Sequence, residues 1–263
     1  MAAPFDTERP HPARVYDFLL GGKDNFAADR AAAAEGLKVN PNAATAPLQN
    51  RGFLRRAVRF LAAEAGIRQF LDIGTGLPTS PNVHEIAQAV DPSARIVYVD
   101  NDPIVLAHAR ALLTSKPEGR TAYVDADLRD VDRILAAPEL RDNLDFDQPV
   151  ALLLLAILHF MDDENDPYSI VERLMAALPS GSYLVLSHIT ADFEPEPWAR
   201  FVEIMRRQGI TTRLRDQPEV ARFFTGLELV DPGVVPILRW LPEHDDRFID
   251  AQAALYGGVA RKV

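Results

Sequence analysis

The amino-acid sequence predicts an α/β protein with a largely parallel sheet, preceded by a region of helices. From about residue 68 to the C-terminus, strand-like and helix-like segments alternate, which is typical of parallel strand–helix–strand units. One predicted strand, Val150–Leu155, is apolar at every position, as expected for a central strand covered on both faces. Residues 1–66 show helical patterns but no convincing strand. We therefore predict a helical extension over residues 1–66 and an α/β domain over residues 67–263.

The predicted strands are short apolar segments bounded by turn residues. They are Gln69–Ile73, Ile96–Asp100, Thr121–Asp125, Val150–Leu155 and Tyr183–Ser187, with two further candidates near Leu227–Val230 and Leu255–Arg261. The connecting helices are expected from Ser80 to Val90, from Asp102 onward with Val105, Leu106, Ala109, Leu112 and Leu113 inward, and at Val131–Ala136, Pro167–Leu178, Trp198–Met205 and Pro218–Phe224. Two of these helices are predicted to begin with a capping residue before proline, at Ser80-Pro81 and Asp102-Pro103.

The N-terminal region contains two distinctive segments. One carries an apolar helical stripe formed by Phe53, Leu54, Ala57, Val58 and Leu61. The other, Arg14–Phe26, joins a short amphipathic helix to Gly21-Gly22, a pair that permits backbone conformations closed to other residues. Arg51, Arg55 and Arg59 lie four residues apart and share one helix face, which is usually a solvated surface.

Composition and charge limit the classes of partner. The chain has 263 residues, of which 48% are hydrophobic, enough for one sizeable core. Its net charge is −10 and no basic stripe dominates, so we expect no nucleic-acid partner. The absence of cysteine excludes disulfides, thiolate metal sites and cysteine nucleophiles, and it fits a reducing compartment.

No targeting segment, membrane span or metal site is expected. The first residues lack an apolar signal region, and the longest apolar run, Val150–Leu158, is far shorter than the roughly 20 residues that span a bilayer. We therefore predict a cytoplasmic protein without a membrane partner. No histidine and carboxylate cluster has ligand spacing, and the acidic run Asp162–Glu164 is interpreted as a solvated loop.

The strongest chemical motif follows the first predicted strand and runs from Asp72 to Thr79. Gly74 and Gly76 allow the backbone to turn sharply and to approach a ligand closely, with the next helix nearby. A dinucleotide fingerprint needs a third glycine or an alanine where Thr79 stands, so this match is incomplete. Taken alone, the motif is also compatible with a plain turn.

Acidic residues end the next two strands. Asp100 lies 24 residues beyond Gly76, where a carboxylate can accept hydrogen bonds from ribose hydroxyls. Asp127 follows the third strand, where it can meet the exocyclic amine of adenine, with Leu128 against the ring. The alternative is that these are loop carboxylates or helix caps, and for Asp102 we favour the cap.

Together these residues resemble the class of S-adenosylmethionine (SAM) dependent methyltransferases. Leu178–Ser187 is similar to the loop and fifth strand of that class. The resemblance implies a Rossmann-like, doubly wound, seven-stranded sheet, mostly parallel with the last strand antiparallel, and SAM as cofactor. It assigns a set of cofactor-site residues in the α/β domain: Asp72, Gly74, Thr75, Gly76, Asp100, Asn101, Asp127, Leu128 and Ala156.

Three segments resemble one family within that class. Tyr16–Phe26, Asp72–Thr79 and Val230–Val235 look like a family catalogued as S-adenosyl methyltransferases and long without an assigned function. The Pro78-Thr79 ending, which departs from the general class pattern, is what this family shows. The family implies the fold and SAM binding but supplies no acceptor.

The N-terminal segment is predicted to cover the mouth of the cofactor site. We expect Tyr16, Lys23 and Asn25 of Arg14–Phe26 to lie near SAM or its acceptor, because an α/β ligand edge needs a cover. The alternative is a helical brace without contact to ligand. Arg51, at a helix start, could reach the methionine carboxylate of SAM.

Methyl transfer from a sulfonium is an in-line displacement, and a base is needed only when the acceptor must lose a proton. His159 follows the fourth strand and His188 follows the fifth, so both are candidate bases, with a purely structural role as the alternative. The Asn/Asp-Pro-Pro-aromatic run of many amino-methylating enzymes is absent, and Leu158–Asp162 stands in its place. We therefore predict a small-molecule acceptor, with a non-catalytic SAM-binding module and a nicotinamide-dependent oxidoreductase as alternatives.

Overall fold

The computed structural model describes residues 6–112, 115–242 and 248–263. Leu113, predicted to face inward, lies outside these residues. The described strands are β1 Gln69–Ile73, β2 Arg95–Asp100, β3 Arg120–Asp125, β4 Ala151–Leu155, β5 Tyr183–Ile189, β6 Glu228–Leu229, β7 Val235–Pro236 and β8 Leu255–Arg261. The described helices are α1 Pro12–Leu19, α2 Ala27–Val39, α3 Thr45–Ala63, α4 Val83–Val90, α5 Pro103–Leu112, α6 Val131–Ala136, α7 Pro138–Arg141, α8 Pro167–Ala176, α9 Pro195–Arg207, α10 Gln217–Ala221 and α11 Asp250–Ala253.

The strands form one mixed sheet in the order β3-β2-β1-β4-β5-β8-β6, with β7 also paired to β8. The strands β1 to β5 run parallel, whereas β8 is antiparallel to β5. This confirms the predicted doubly wound α/β fold with an antiparallel last strand. The two-residue strand β7 was not predicted, because a pairing this short leaves no period in the sequence. Strand order reverses between β1 and β4, which opens a crevice at their carboxyl ends.

The sheet is covered on both faces, and β4 shows the division directly. Ala151, Leu153 and Leu155 pack in one apolar cluster, while Leu152 and Leu154 pack in the other. Alternate residues of a strand point to opposite faces, so the uninterrupted apolar run follows from burial on both sides.

The N-terminal helices share the core of the α/β region. The predicted stripe on α3 is confirmed, since Phe53, Ala57, Val58 and Leu61 are fully buried against the sheet cluster. Helix α2 packs on α9 so closely that a side chain at Gly36 would lie 2.5 Å from the Phe201 ring. The helices of residues 1–66 and the strands of residues 67–263 therefore share one apolar cluster.

The start of α4 differs from the sequence-based prediction. The N-cap is Asn82, not Ser80, and α4 begins at Val83, after a cis Ser80–Pro81 peptide bond. The reason is a reciprocal cap in which the Asn82 amide donates to the Glu85 side chain, while the Ser80 hydroxyl also donates to Glu85. The predicted cap of α5 is confirmed, because the Ile104 amide donates to Asp102 Oδ1 at 2.9 Å.

In the described part of the chain, the structure shows no helix with the length and apolar character of a membrane span.

Candidate functional site

A cavity of about 340 Å³ lies at the carboxyl edge of the parallel strands. Eleven of the twelve predicted cofactor-site residues line it: Tyr16, Arg51, Asp72, Gly74, Thr75, Gly76, Asp100, Asn101, Asp127, Leu128 and Ala156. The twelfth, Asn25, does not. Parallel strands end at the same edge of a sheet, so residues far apart in sequence meet here.

The glycine turn after β1 forms the floor of the cavity. Gly74 and Gly76 have φ angles of +75° and +67°, which favour glycine over other residues. A side chain at Gly74 would lie 2.6 Å from Ile157, so the turn packs directly against the loop after β4. A side chain at Gly76 would meet nothing within 4 Å, which leaves that stretch of backbone open to a ligand.

Asp100, at the end of β2, is bonded to this turn. Its Oδ2 accepts a hydrogen bond from the Gly76 amide at 2.9 Å, and its Oδ1 accepts one from the Asp102 amide at 2.9 Å. Burial raises the pKa of the Asp100 carboxyl, and the two amide donors oppose that shift. A carboxylate has about four lone-pair positions, so acceptor capacity remains for ligand hydroxyls.

Asp72, at the end of β1, is also buried, and it accepts a hydrogen bond from the Thr75 hydroxyl at 3.1 Å. Burial raises the pKa of Asp72 to about 6, partly offset by Thr75 and by the positive charge of Arg51. Asp72 therefore titrates close to neutrality.

Asp127, after β3, has a more polar environment. It accepts hydrogen bonds from Asn101 Nδ2 and from the backbone amide, Nε and Nη2 of Arg129. The Arg129 contacts, more than any other group, lower the pKa of Asp127 to about 2. The cap of α6 is Asp130, which accepts from the Arg133 amide. Asp127 therefore does not serve as the helix cap.

A hydrogen-bonded chain joins three elements at the back of the cavity. The Tyr16 hydroxyl donates to the Pro47 carbonyl at 3.1 Å and accepts from Asn50 Nδ2 at 3.1 Å. Asn50 Oδ1 accepts from the Ser187 hydroxyl at 2.6 Å, and that hydroxyl accepts from the Ala156 amide at 3.0 Å. Ala156 has a φ of +53°, an uncommon conformation for alanine that this chain supports. Asn50 and Ser187 were not predicted as site residues, because Asn50 belongs to no motif and Ser187 was placed only as the end of the fifth strand.

Arg51 binds protein backbone beside the cavity. Its Nη2 donates to the carbonyls of Thr79 and Pro81, which lie in the turn after the glycine motif. The Arg51 guanidinium thus fixes the loop between β1 and α4. Arg51 is also one of the residues that line the cavity.

The Gly-Gly segment does not contact the cavity, which corrects the predicted placement of Lys23 and Asn25. Asn25 Nδ2 donates to Asp17 Oδ2 at 2.8 Å and to the Gly22 carbonyl, so this amide group makes its hydrogen bonds within the loop. Gly22 is required there, because a side chain would lie 2.0 Å from the Asp17 carboxylate. Lys23 is exposed and does not line the cavity.

The part of the N-terminal segment that does line the cavity is the start of α1, through Pro10–Ala13 and Tyr16. A buried ion cluster fixes it: Arg14 Nε lies 3.6 Å from Asp29 Oδ1 and 3.6 Å from Asp102 Oδ2. His11 Nδ1 lies 3.1 Å from Asp102 Oδ2. Asp102, which caps the N-terminus of α5, therefore also anchors α1 at the edge of the cavity.

A second, smaller pocket of about 70 Å³ adjoins the first. The two share six wall residues: Pro12, Tyr16, Asn50, Ala156, Phe160 and Ile210. The remaining wall of the smaller pocket comes mainly from α1, α3 and α9, with His159 from the loop after β4, and it is largely apolar. We call it the inner pocket.

The two candidate bases have different placements. His159 lines the inner pocket, and burial together with the positive charge of Arg215 lowers its pKa to about 3. His188 lines neither cavity. Its Nδ1 bonds the Ile189 carbonyl at 2.7 Å and its Nε2 faces Arg215 Nη1 at 2.9 Å, so the ring is neutral and donates through Nδ1. The prediction of His188 as a base is therefore wrong.

The acidic run after β4 is more structured than predicted. Asp162 pairs with Arg206, and Asp163 pairs with Arg213 and with the fully buried Arg215. Arg215 also donates to the carbonyls of Leu158 and Met161, so it fixes the loop that carries His159. Within residues 6–112, 115–242 and 248–263, no group of three or more histidine, cysteine or carboxylate side chains could hold a metal ion.

Comparison with known proteins gives a consistent result over the whole chain. A family model described as S-adenosyl methyltransferase matches residues 1–263. A crystal structure of a DUF574 family protein from Streptomyces avermitilis MA-4680 is 52% identical, with a TM-score of 0.96 and coverage of 98% of this chain and 99% of that chain. A candidate methyltransferase from Thermobifida fusca YX is 42% identical, with a TM-score of 0.90 and coverage of 98% and 96%.

More distant structures share the fold alone. An O-methyltransferase family protein from Burkholderia thailandensis is 16% identical, with a TM-score of 0.56 over 98% of this chain and 65% of that chain. A search of curated proteins found no match to this chain.

Proposed function

The chain belongs to the S-adenosyl methyltransferase family and is a SAM-dependent methyltransferase; we propose that SAM binds in the 340 Å³ cavity and that the acceptor is a small molecule. The observation that carries the proposal is the convergence of Asp100, Asp127 and the glycine turn on one cavity. When bound, SAM supplies an electrophilic methyl group on a positively charged sulfur.

The groups present fit this nucleoside. Asp100 retains lone pairs for the ribose hydroxyls, because the two amide donors occupy two of its about four lone-pair positions. Leu128 and the Asp127 carboxylate stand at the next strand end, where adenine is expected. The open backbone at Gly76 allows the ligand to approach without a side chain in the way.

We propose a small acceptor because segments other than the strand ends also line the cavity. The start of α1 and Gly209–Thr211 both line it, which restricts access for a folded macromolecule. The net charge of −10 argues against nucleic acid. Residues 1–66 then act as a helical extension that covers the cofactor site of residues 67–263. The lack of cysteine supports a cytoplasmic location.

Turnover of methyl-labelled SAM against a cell extract tests the acceptor. We separate the extract into a small-molecule filtrate, protein and nucleic acid, and expect label to transfer only with the filtrate. Transfer to protein or nucleic acid would refute the small-molecule proposal. Tight SAM binding without transfer to any fraction would favour the alternative of a non-catalytic module. Family membership disfavours the nicotinamide alternative, and titration with a nicotinamide dinucleotide checks it directly.

Deleting residues 1–26 tests the cover. We expect SAM affinity, measured by calorimetry, to fall, because Pro10–Ala13 and Tyr16 line the cavity. Unchanged affinity in a folded deletion variant would show that the segment is only a brace.

A further inference from the structure

We propose that the inner pocket selects an uncharged acceptor that has a short apolar body and one reacting hydroxyl group, oriented by His159. The inference rests on the proposed function, because it takes the larger cavity as the SAM site. It names the chemical class of the acceptor, which neither the family nor the relatives supply.

The wall of the inner pocket argues against a charged acceptor. Every residue that lines it is apolar or uncharged in its ordinary state; the polar members are Tyr16, Asn50, His159, Trp198 and Thr212. A carboxylate or an ammonium group would lose its hydration there without gaining a counter-charge, which costs far more than burying a neutral group. An amine that is protonated at neutral pH is therefore excluded, together with carboxylic acids.

Two buried ring nitrogens in this wall lack a partner. Among the described residues, neither His159 Nδ1 nor Trp198 Nε1 has a hydrogen-bond partner, and the two residues are buried, at 5% and 2% exposed. Buried polar atoms are almost always paired, so an unpartnered atom beside a cavity points to a ligand group or an ordered water. Both residues line the inner pocket, so a hydroxyl group placed against either ring would supply the missing hydrogen-bond partner.

His159 is held in one place and in one charge state. Its ring packs on Phe160 at 4.3 Å between centroids and on His188 at 5.5 Å, and its carbonyl accepts from the Arg213 amide at 2.8 Å. With its pKa lowered to about 3, the ring is neutral at physiological pH and can accept a hydrogen bond from a hydroxyl. Such a weak base orients the hydroxyl but does not retain its proton.

The weakness of that base favours an acidic hydroxyl. A phenol has a pKa near 10, as tyrosine does, so it reacts with less help than an aliphatic alcohol. In the transfer, an oxygen lone pair forms the bond to the methyl carbon, and the breaking carbon–sulfur bond leaves its electron pair on sulfur. The hydroxyl proton is released to water. The products on the protein are therefore neutral, and the positive charge that the sulfonium carried is now on the released proton.

The shared wall places the reacting group between the two cavities. Tyr16, Asn50 and Ala156 line both, so an acceptor seated in the inner pocket borders the SAM site. The Tyr16 hydroxyl is not a competing base, because Pro47 and Asn50 already occupy it and burial raises its pKa. The inner pocket, at about 70 Å³, has about half the volume of the roughly 150 Å³ cavity that binds benzene. It therefore encloses a short chain or one edge of a single ring, and the rest of a ring extends along the wall that the two cavities share.

The test compares ligand classes on protein saturated with S-adenosylhomocysteine, the demethylated product. Calorimetry reports the binding of phenol and 4-methylphenol, with benzoate and benzylamine as charged counterparts of similar size. We expect both phenols to bind and both charged compounds to bind at least about tenfold more weakly. Equal or tighter binding of either charged compound would overturn the proposal, as would no binding of the phenols.

Two matched variants locate the binding. Ala46→Leu fills the inner pocket from α3, and Ala63→Leu adds the same side chain at an exposed position of that helix. We expect Ala46→Leu to weaken phenol binding about tenfold and Ala63→Leu to leave it unchanged. Both variants should bind S-adenosylhomocysteine as tightly as the wild type. Equal phenol binding in Ala46→Leu would place the site elsewhere and refute the proposal.

His159 is tested as the orienting group. His159→Leu removes the ring nitrogens and is expected to abolish the preference for 4-methylphenol over toluene, while His159→Gln restores part of it. An unchanged preference in His159→Leu would contradict the role. Failure of the wild-type protein to bind S-adenosylhomocysteine is a separate outcome, because it refutes the proposed cofactor site on which this inference stands.

Discussion

The Asp100 carboxylate accepts a hydrogen bond from the Gly76 amide at 2.9 Å, so the end of β2 holds the glycine turn that follows β1. Asp100→Asn keeps the shape and removes the charge. We expect SAM affinity to fall about tenfold to a hundredfold, since hydrogen bonds to charged groups contribute roughly 1.5–3 kcal/mol. Calorimetric titration measures the change.

Asp125→Asn is the matched control for that experiment. Asp125 pairs with Asp100 in the strand register but is exposed and does not line the cavity. An equal loss of affinity in both variants would show that the effect is not specific to the site.

Arg129 competes for the carboxylate expected to meet adenine. It supplies three of the four hydrogen bonds to Asp127, and its own side chain is 59% exposed. Arg129→Ala is expected to tighten SAM binding by about two- to fivefold, whereas Asp127→Ala weakens it. Arg133→Ala, on the exposed face of α6, serves as control. Weaker binding in Arg129→Ala would mean that Arg129 itself contacts the ligand.

The buried Asp72 makes stability fall with rising pH over a defined window. Its folded-state pKa of about 6 lies above the ordinary value, so the folded protein binds more protons between about pH 4 and 6. Relative to Asp72→Asn, the wild type should lose about 3 kcal/mol across that window, since one pH unit corresponds to about 1.4 kcal/mol. Urea unfolding of both proteins gives the difference, and a flat difference profile would contradict the assignment.

His159 has the opposite dependence. Its folded-state pKa of about 3 lies below the ordinary 6.5, so the unfolded chain binds more protons and stability falls as the pH drops below about 6.5. Compared with His159→Gln, the wild type should lose about 2 kcal/mol between pH 6.5 and 5. The same unfolding series measures it. Between pH 4 and 6 the effects of Asp72 and His159 on the unfolding free energy are opposite and nearly cancel. Each effect is therefore visible only when the wild type is compared with the single variant.

Arg14 holds α1 to the rest of the protein through buried charges. Its side chain is 5% exposed, and Arg14→Ala would leave Asp29 and Asp102 without it as a partner. We expect a loss of about 3 kcal/mol of unfolding free energy, as for a buried ion pair broken from one side. Arg9→Ala, whose side chain is 87% exposed, should change stability by less than about 0.5 kcal/mol. A similar, small effect of both substitutions would refute the buried-cluster account.

Sequence reasoning succeeded where a side chain's position follows from the strand that carries it. Asp100 and Gly76 meet because parallel strands end at one edge, and the spacing of the strands was visible in the apolar pattern. The Asp102 cap followed from the Asp-Pro pair at a helix start. These features depend on local chemistry and on topology, both of which the sequence expresses directly.

The failures involve side chains whose partners lie far away in sequence or are set by local loop folding. Asn25 looked available, but it binds Asp17 within its own loop. His188 was predicted to follow the fifth strand, but it lies within β5, and its ring is fixed by Arg215, an arginine outside any motif. Neither contact has periodicity or spacing that a single sequence could show.

The most direct test of the central claim is a crystal structure of the protein with S-adenosylhomocysteine. We expect the ribose hydroxyls on Asp100, adenine beside Leu128 and Asp127, and the thioether sulfur at the wall that Tyr16, Asn50 and Ala156 share with the inner pocket. Density for the nucleoside in the inner pocket, or away from the carboxyl ends of β1 to β3, would contradict it.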